Sequence, residues 1–302
     1  MRHKMVRHLD ELVEIAKSKR TRKLVLAAAG DEDAMLAVKN ATENGIIEPI
    51  LIGDMQKITA IAKRIDFDIS KFETYNEEDK VAASTRACIM IKEGKAEILM
   101  KGAVGTGTLM KAVLNKEDGL RSGDTLSHMA VFESPYYHKL LGVTDAAMNV
   151  SPDLETKIAI IKNAVEVFHK LDCPNPKVAI VGSVETVNPR MEATMHAATI
   201  SMMNYRKQIR GCIIDGPLAI DNAVSRKSAE LKDITSDVAG DTDIIIAPDI
   251  DSGNILYKTL NFLGGAVSAA VIMGAMAPIV LTSRSDSDRS KFLSIALAAN
   301  IG

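Results

Sequence analysis

Tryptophan is absent from this 302-residue chain, and Phe and Tyr together make up only 4% of it. Proteins that hold single strands stack bases on aromatic side chains, so that class of binding has little to build on here. A positive excess is also missing. Thirty-seven Lys and Arg face 39 Asp and Glu, for a formal net charge of −2. Neither a nucleic-acid backbone nor an anionic membrane surface is drawn to such a chain. Cysteine is sparse: Cys88, Cys173 and Cys212 lie far apart, with no C-x-x-C pair. That pattern fits buried thiols in a reducing compartment, and hence a cytoplasmic protein, rather than a disulfide frame. The six histidines form no H-x-x-x-H and no Cys/His cluster, so no metal site is expected. The leading MRHKMVRHLDELVEIAKSKR lacks an apolar leader run. Val6, Leu9, Val13 and Ala16 instead share one face of an amphipathic helix, with Leu12 at its edge. Phe262 to Leu281 carries no charge, but Gly264, Gly265, Gly274 and Pro278 interrupt it. It reads as a buried helix followed by a buried strand, not as a membrane span.

What is present is alternation. KLVLAAAG (23–30), EPILIG (48–53), EILMKG (97–102), KVAIVGS (177–183), GCIIDG (211–216) and DIIIAP (243–248) read as strands, with helical patterns between them. Continuous apolar strands divided by helices imply mostly parallel sheets covered on both faces. The length favours two α/β domains. The polar segment 115–124 and the Gly/Ala-rich stretch around 264–274 are the plausible boundaries. They give a first domain of residues 1–127 plus 275–302 and a second of 128–274, with a cleft between them.

Four stretches can carry chemistry. In LTSRSDSDRSKFLSIALA (281–298), a strand ends in a polar turn that opens a helix. Free N–H groups and the helix dipole favour an anion there. Thr282 and Ser283 add hydroxyls, and Arg284 adds a planar fork matched to phosphate. Equally, Ser285, Ser287 or Asp288 could simply cap the helix. In KGAVGTGTLMKAVL (101–114), Gly105, Thr106 and Gly107 could form an anion nest or a plain glycine turn. No G-K-[ST] follows, and Met110 stands where a dinucleotide fingerprint needs its third glycine. In APDIDSGNILYKTL (247–260), Asn254 and Lys258 share a helix face behind an acidic cap. Asp249 and Asp251 alone make a poor magnesium signature. In DGPLAIDNAV (215–224), Pro217 suits a first helical turn, with Asp215 and Asp221 as caps.

Taken together, LMKGAVGTGTLMKAVL, AAMNVSPDLETKIAIIKNAV, DGPLAIDNAV, APDIDSGNILYKTL and LTSRSDSDRSKFLSIALA, in this order and spacing, resemble the phosphate acetyltransferase/phosphate butyryltransferase family. The length and the TSRSDS form look more like the butyryl branch. The resemblance covers nearly the whole chain. It implies a two-domain α/β fold similar to isocitrate and isopropylmalate dehydrogenases, with the site in the cleft. It implies reversible transfer of a short-chain acyl group between coenzyme A and inorganic phosphate, giving an acyl phosphate. No metal, no cofactor beyond those substrates and no covalent acyl-enzyme is implied, and a homodimer or higher homo-oligomer is expected. Ser283 and Arg284 match the family's Ser-Arg pair. Gly253, Asn254, Tyr257 and Lys258 match its cleft-lining GN-x-x-YK segment, and Lys111 falls near a coenzyme A-binding arginine. Acetyl enzymes carry an aspartate seven residues after the serine, proposed as the base for the thiol. Ser290 stands there in this chain. The replacement base is then Asp288 by resemblance or Asp286 by geometry. Two rivals are a metal-dependent decarboxylating dehydrogenase and a non-catalytic acyl-phosphate or CoA binder.

Overall fold

In a computed structural model, residues 5–283 and 286–302 are described, and the chain divides into two compact units. One comprises Asp10–Asp124 and Ala269–Gly302, and the other Thr125–Ser268 with the segment up to Leu9.

The first unit starts with α1 (Leu9–Ser18), followed by β1 (Arg22–Ala27), α2 (Glu32–Glu43), β2 (Ile47–Gly53), α3 (Met55–Arg64), β3 (Glu73–Asn76), α4 (Lys80–Lys92), β4 (Ile98–Lys101) and α5 (Thr106–Val113). The second contains β5 (Ser127–Glu133), β6 (Leu141–Thr144), α6 (Leu154–Lys170), β7 (Lys177–Val181), α7 (Glu192–Tyr205), β8 (Ile213–Leu218), α8 (Ile220–Val224), α9 (Arg226–Leu231), β9 (Ile244–Ile246) and α10 (Ile250–Phe262). The chain then returns to the first unit with β10 (Val267–Met273), β11 (Ile279–Val280) and α11 (Asp288–Ile301). Strand order is β3-β2-β1-β4-β11-β10 in the first unit and β5-β6-β9-β7-β8 in the second. Among the described residues, the pairings within each unit are parallel except β10 with β11 and β5 with β6. The expected mostly parallel α/β architecture is therefore present.

The sequence explains why. Central strands such as Leu24–Ala27 and Ile244–Ile246 are buried on both faces, which demands helices on both sides. Asp31, Asp54, Asp79, Asp153 and Asp249 each follow a strand or loop and accept N–H bonds from the first turn of the next helix. Each such cap contributes about 1 kcal/mol and fixes where the helix starts. The amphipathic leader forms α1, with Leu9, Leu12, Val13 and Ala16 buried as its spacing required.

The structure departs from the sequence reading in three places. Val267–Met273 is a strand, not a buried helix; its alanines pack on both sheet faces rather than in helical register. Pro217 lies in β8, not in a helical turn. β8 is an edge strand with a register shift opposite Ala179–Val181, where a missing N–H costs no ladder bond. Asp215 and Asp221 are not caps. Ala219 holds the N-cap of α8, Asp215 accepts from Gly216 N–H at 2.8 Å, and Asp221 pairs with Lys232 at 3.4 Å. Among the described residues, no helix is long and apolar enough to cross a membrane.

Candidate active site

Within the first unit, β4 and β11 run parallel, with Leu99 opposite Ile279 and Met100 opposite Val280. Parallel pairing puts their carboxyl ends side by side. The glycine loop after Lys101 and the polar turn after Val280 therefore open at the same edge of the sheet, where α/β folds bind ligands. Sequence spacing alone could not show that these two stretches meet.

The turn is built from the inside. Thr282 is buried. The Ser283 N–H donates to Asp286 Oδ2 at 2.7 Å, and the Asp286 N–H returns to the Ser283 carbonyl at 3.2 Å. Asp286 thus closes the turn that presents Ser283. Arg284 lies outside the described residues, as does Ser285. Ser287 is the N-cap of α11. Its Oγ accepts the Ser290 N–H at 3.1 Å and lies 3.1 Å from Ser290 Oγ. Ser290 itself is buried, with its hydroxyl against that of the N-cap Ser287. Asp288 is the first helical residue and is exposed. It sits about 200° around the helix from Ser290, so it does not take the place that Ser290 occupies.

Lys291 completes the turn and was not anticipated from sequence. Its side chain is 4% exposed, and Nζ donates to Asp33 Oδ2 at 3.0 Å and to the Asp286 carbonyl at 2.9 Å. One ammonium thus ties the Asp286 turn to the start of α2. The pattern SDRSK carries no sign of it, because Asp33 is more than 250 residues away.

The glycines of the other loop differ in purpose. A Cβ on Gly102 would lie 2.4 Å from the Ala28 carbonyl oxygen, so glycine is required there by backbone packing. Gly105 is the N-cap of α5 without a side-chain cap, and Thr106 and Gly107 form its exposed first turn. A Cβ on Gly107 would meet nothing within 4 Å. These three residues leave helix N–H groups open to an anion. Lys111 is exposed in the last turn, about 7 Å further along the axis, so it is not brought to that end.

In the second unit, the GN-x-x-YK residues are mostly packing groups. A Cβ on Gly253 would lie 2.1 Å from the Asp145 carbonyl oxygen, and Asn254 Nδ2 donates to the Ala146 carbonyl at 3.0 Å. Tyr257 is buried edge-on to Phe132 and His128, with ring centroids 5.4 and 5.5 Å apart. These contacts seat α10 on a turn centred on Asp145. That carboxylate accepts the N–H groups of His128, Ala147, Met148 and Asn149 and the Asn149 side-chain amide. Lys258 alone of the four is exposed. Asp249 caps α10 by accepting from the Ser252 side chain and N–H, which lowers its pKa.

No thiol competes for the chemistry. Burial pushes the pKa of Cys88 and Cys173 up to about 12 and that of Cys212 up to about 11, so none carries an appreciable thiolate near neutrality. Among the described residues, no group of three or more His, Cys, Asp or Glu is placed to hold a metal ion.

The sequence profile of the family described as "Phosphate acetyl/butaryl transferase" matches residues 8–85 and 77–299. The chain belongs to this phosphate acetyl/butyryl transferase family. It is 45% identical to a phosphate butyryltransferase of Clostridium acetobutylicum over 98% of both chains. It is 44% identical to a phosphate acetyltransferase of Thermotoga maritima, covering 96% of this chain and 98% of the relative. The identities to these two relatives, one from each branch, are nearly equal. A branched-chain phosphotransacylase from Enterococcus faecalis V583 superposes with a TM-score of 0.81 at 31% identity, covering 93% of this chain and 99% of that one.

Proposed function

We propose that this chain transfers a short acyl group, butyryl in preference to acetyl, reversibly between coenzyme A and inorganic phosphate. The observation that carries the reading is the meeting of the Ser283 turn and the open start of α5 at neighbouring parallel strand ends, in a chain of this family. We also propose that the fold is related to the isocitrate/isopropylmalate dehydrogenases.

In the acyl-CoA-forming direction, the coenzyme A sulfur attacks the acyl phosphate carbonyl. The C–S bond forms, the C–O bond to phosphate breaks, and phosphate leaves with the electron pair. A thiol like free Cys, with a pKa of about 8.5, is only a few per cent thiolate near pH 7, so a positioned base contributes roughly 10²–10⁴-fold. Asp286 is the carboxylate nearest Ser283 in the turn, and one of its oxygens already accepts the Ser283 N–H. We assign it the base role ahead of Asp288, which is exposed on the outer side of α11. Thr282, Ser283, Arg284 and the α5 N-terminus at Gly105, Thr106 and Gly107 bind phosphate and the developing charge. Asn254, Tyr257 and Lys258 belong to the substrate-binding set, with Lys258 exposed, its ammonium 6.0 Å from the Phe262 ring centroid, and the other two holding α10. Lys111 contacts the outer part of coenzyme A. No cofactor or metal is needed beyond the two substrates.

The enzyme acts in the cytoplasm as a homo-oligomer. Exposed Met195, Met202 and Tyr205 on α7 and Ile255, Phe262 and Leu263 on and just after α10 supply apolar surface for self-association. The test is coenzyme A release from acetyl-, propionyl-, butyryl- and isobutyryl-CoA with and without phosphate. Release that ignores phosphate would mean a thioesterase and end this reading.

A further inference from the structure

Lysine is rarely buried, because stripping water from an ammonium is costly unless something compensates it. Lys101 is the last residue of β4, the one charged residue in that strand, and only 9% exposed. Its Nζ lies 3.4 Å from the Gly102 carbonyl oxygen, so the ammonium sits over the start of the glycine loop. The sequence pattern assigns it no role.

The topology says what kind of place this is. From β1 the chain moves outward through β2 to β3, then returns to lay β4 on the other side of β1. β1 and β4 are therefore adjacent parallel strands whose onward connections leave in opposite directions. With right-handed crossovers, α2 and α5 go to opposite faces of the sheet. Consistent with that, α2 packs with α11 and α5 packs with α4. Such a switch point leaves a crevice outside the carboxyl ends of the two strands, the usual ligand position in open α/β sheets. Lys101 stands at that point, in register with Ala27, the last residue of β1. On its other side β11 continues past Val280 into Thr282 and Ser283. Lys101 thus ends the strand that lies between β1 and β11, with its ammonium at the first residue of the glycine loop and the Ser283 turn following the neighbouring strand.

We infer that Lys101 is a further binding residue for the reacting phosphate, either as inorganic phosphate or as the phosphoryl group of the acyl phosphate. This rests on the acyl-transfer reading above. The chemistry requires positive charge at this place, since phosphate at neutral pH carries between one and two negative charges and must be held against an acyl carbonyl. A point charge on a stem anchored in the sheet meets that need without forming a bond to substrate.

The test separates the reacting phosphate from the phosphates of coenzyme A. Initial rates are measured for Lys101→Met and Lys101→Arg with phosphate varied, with acyl-CoA varied, and with the acyl-pantetheine thioester, which lacks the coenzyme A phosphates. Removing one charge-assisted interaction should raise KM for phosphate about ten- to a hundredfold in Lys101→Met. KM for acyl-CoA and for acyl-pantetheine should stay within about twofold, and Lys101→Arg should recover part of the phosphate affinity. An unchanged phosphate KM overturns the inference. So does a raised KM for acyl-CoA but not acyl-pantetheine, which would place Lys101 on the coenzyme A phosphates. If Lys101→Met does not fold, the ¹³Cε resonance of Lys101 in the wild-type protein decides. It should move on titration with phosphate and not with acyl-CoA alone; a resonance indifferent to phosphate overturns the inference. Wild-type protein without phosphate-dependent turnover would instead defeat the acyl-transfer reading itself.

Discussion

Lys291→Met removes the ammonium that ties the Asp286 turn to α2 while keeping an apolar stem of similar length. The two interactions it deletes are unequal. Asp33 is 53% exposed, so water replaces much of that ion pair, and its deletion costs about 0.2–1 kcal/mol. The Asp286 carbonyl accepts a charged donor from a side chain that is 4% exposed, and such bonds contribute about 1.5–3 kcal/mol. Together they amount to about 2–4 kcal/mol, or a fall in Tm of roughly 3–6 °C for a chain of this size. The turn also presents Ser283, so a loosened turn should cost activity beyond the stability loss. Because misplacement by about 1 Å can cost up to 10²-fold, kcat is expected to fall at least tenfold at a temperature where the variant is fully folded. Thermal unfolding followed by circular dichroism and steady-state kinetics at 25 °C measure the two effects. A Tm within 1 °C of wild type would refute the stability argument. A Tm drop with unchanged kcat would show that the turn needs no pin to work.

Gly102→Ala should destabilise by about 1–3 kcal/mol or more through overpacking against the Ala28 carbonyl, whereas Gly107→Ala, with open space around it, should be neutral or gain up to about 1 kcal/mol; equal Tm shifts would contradict the assignment. Asp288→Asn should keep wild-type kcat and its acid limb, and Asp286→Asn should lose both; the reverse pattern would move the base to α11. His196 lies 3.1 Å from the buried Lys157 ammonium, and burial together with that charge lowers the His196 pKa. Its stabilising contribution is therefore present above the unfolded histidine pKa near 6.5 and lost as pH falls through the lowered folded value. His196→Gln should accordingly flatten the stability decline between pH 7 and 5, and an unaltered decline would exclude the pair as its source. A maleimide at pH 7 should label none of the three cysteines in the folded protein and all of them in denaturant, while labelling of native Cys212 would show that its burial is transient.

The sequence disclosed the strand–helix alternation because buried parallel strands are short, continuous and apolar, and because aspartates mark the helix starts. It misread Val267–Met273, since an alanine-rich run buried on both faces has no period to separate strand from helix. β5 and β6 went unassigned because each offers only a short signal: the apolar run of β5 is the four residues Met129, Ala130, Val131 and Phe132, flanked by Ser127, His128 and Glu133, and β6 is only four residues long. At the site, Thr282, Ser283 and the glycine loop stood out by residue type. Their meeting depended on the β4/β11 pairing, which joins segments about 180 residues apart in sequence. Lys101, Lys291 and Asp33 gave no signal at all, because a buried lysine is spelled like an exposed one. The GN-x-x-YK segment showed the opposite limit. Its residues were found, but Gly253, Asn254 and Tyr257 serve first to seat α10 on the Asp145 turn, a role only the contacts disclose.

The most direct test of acyl transfer is a single time course: purified protein with butyryl-CoA, free thiol monitored, and phosphate added midway. Negligible thiol release before the addition and rapid release after it, with butyryl phosphate accumulating in equal amount, is the predicted result. Thiol release at the same rate before and after, or release without butyryl phosphate, would contradict it.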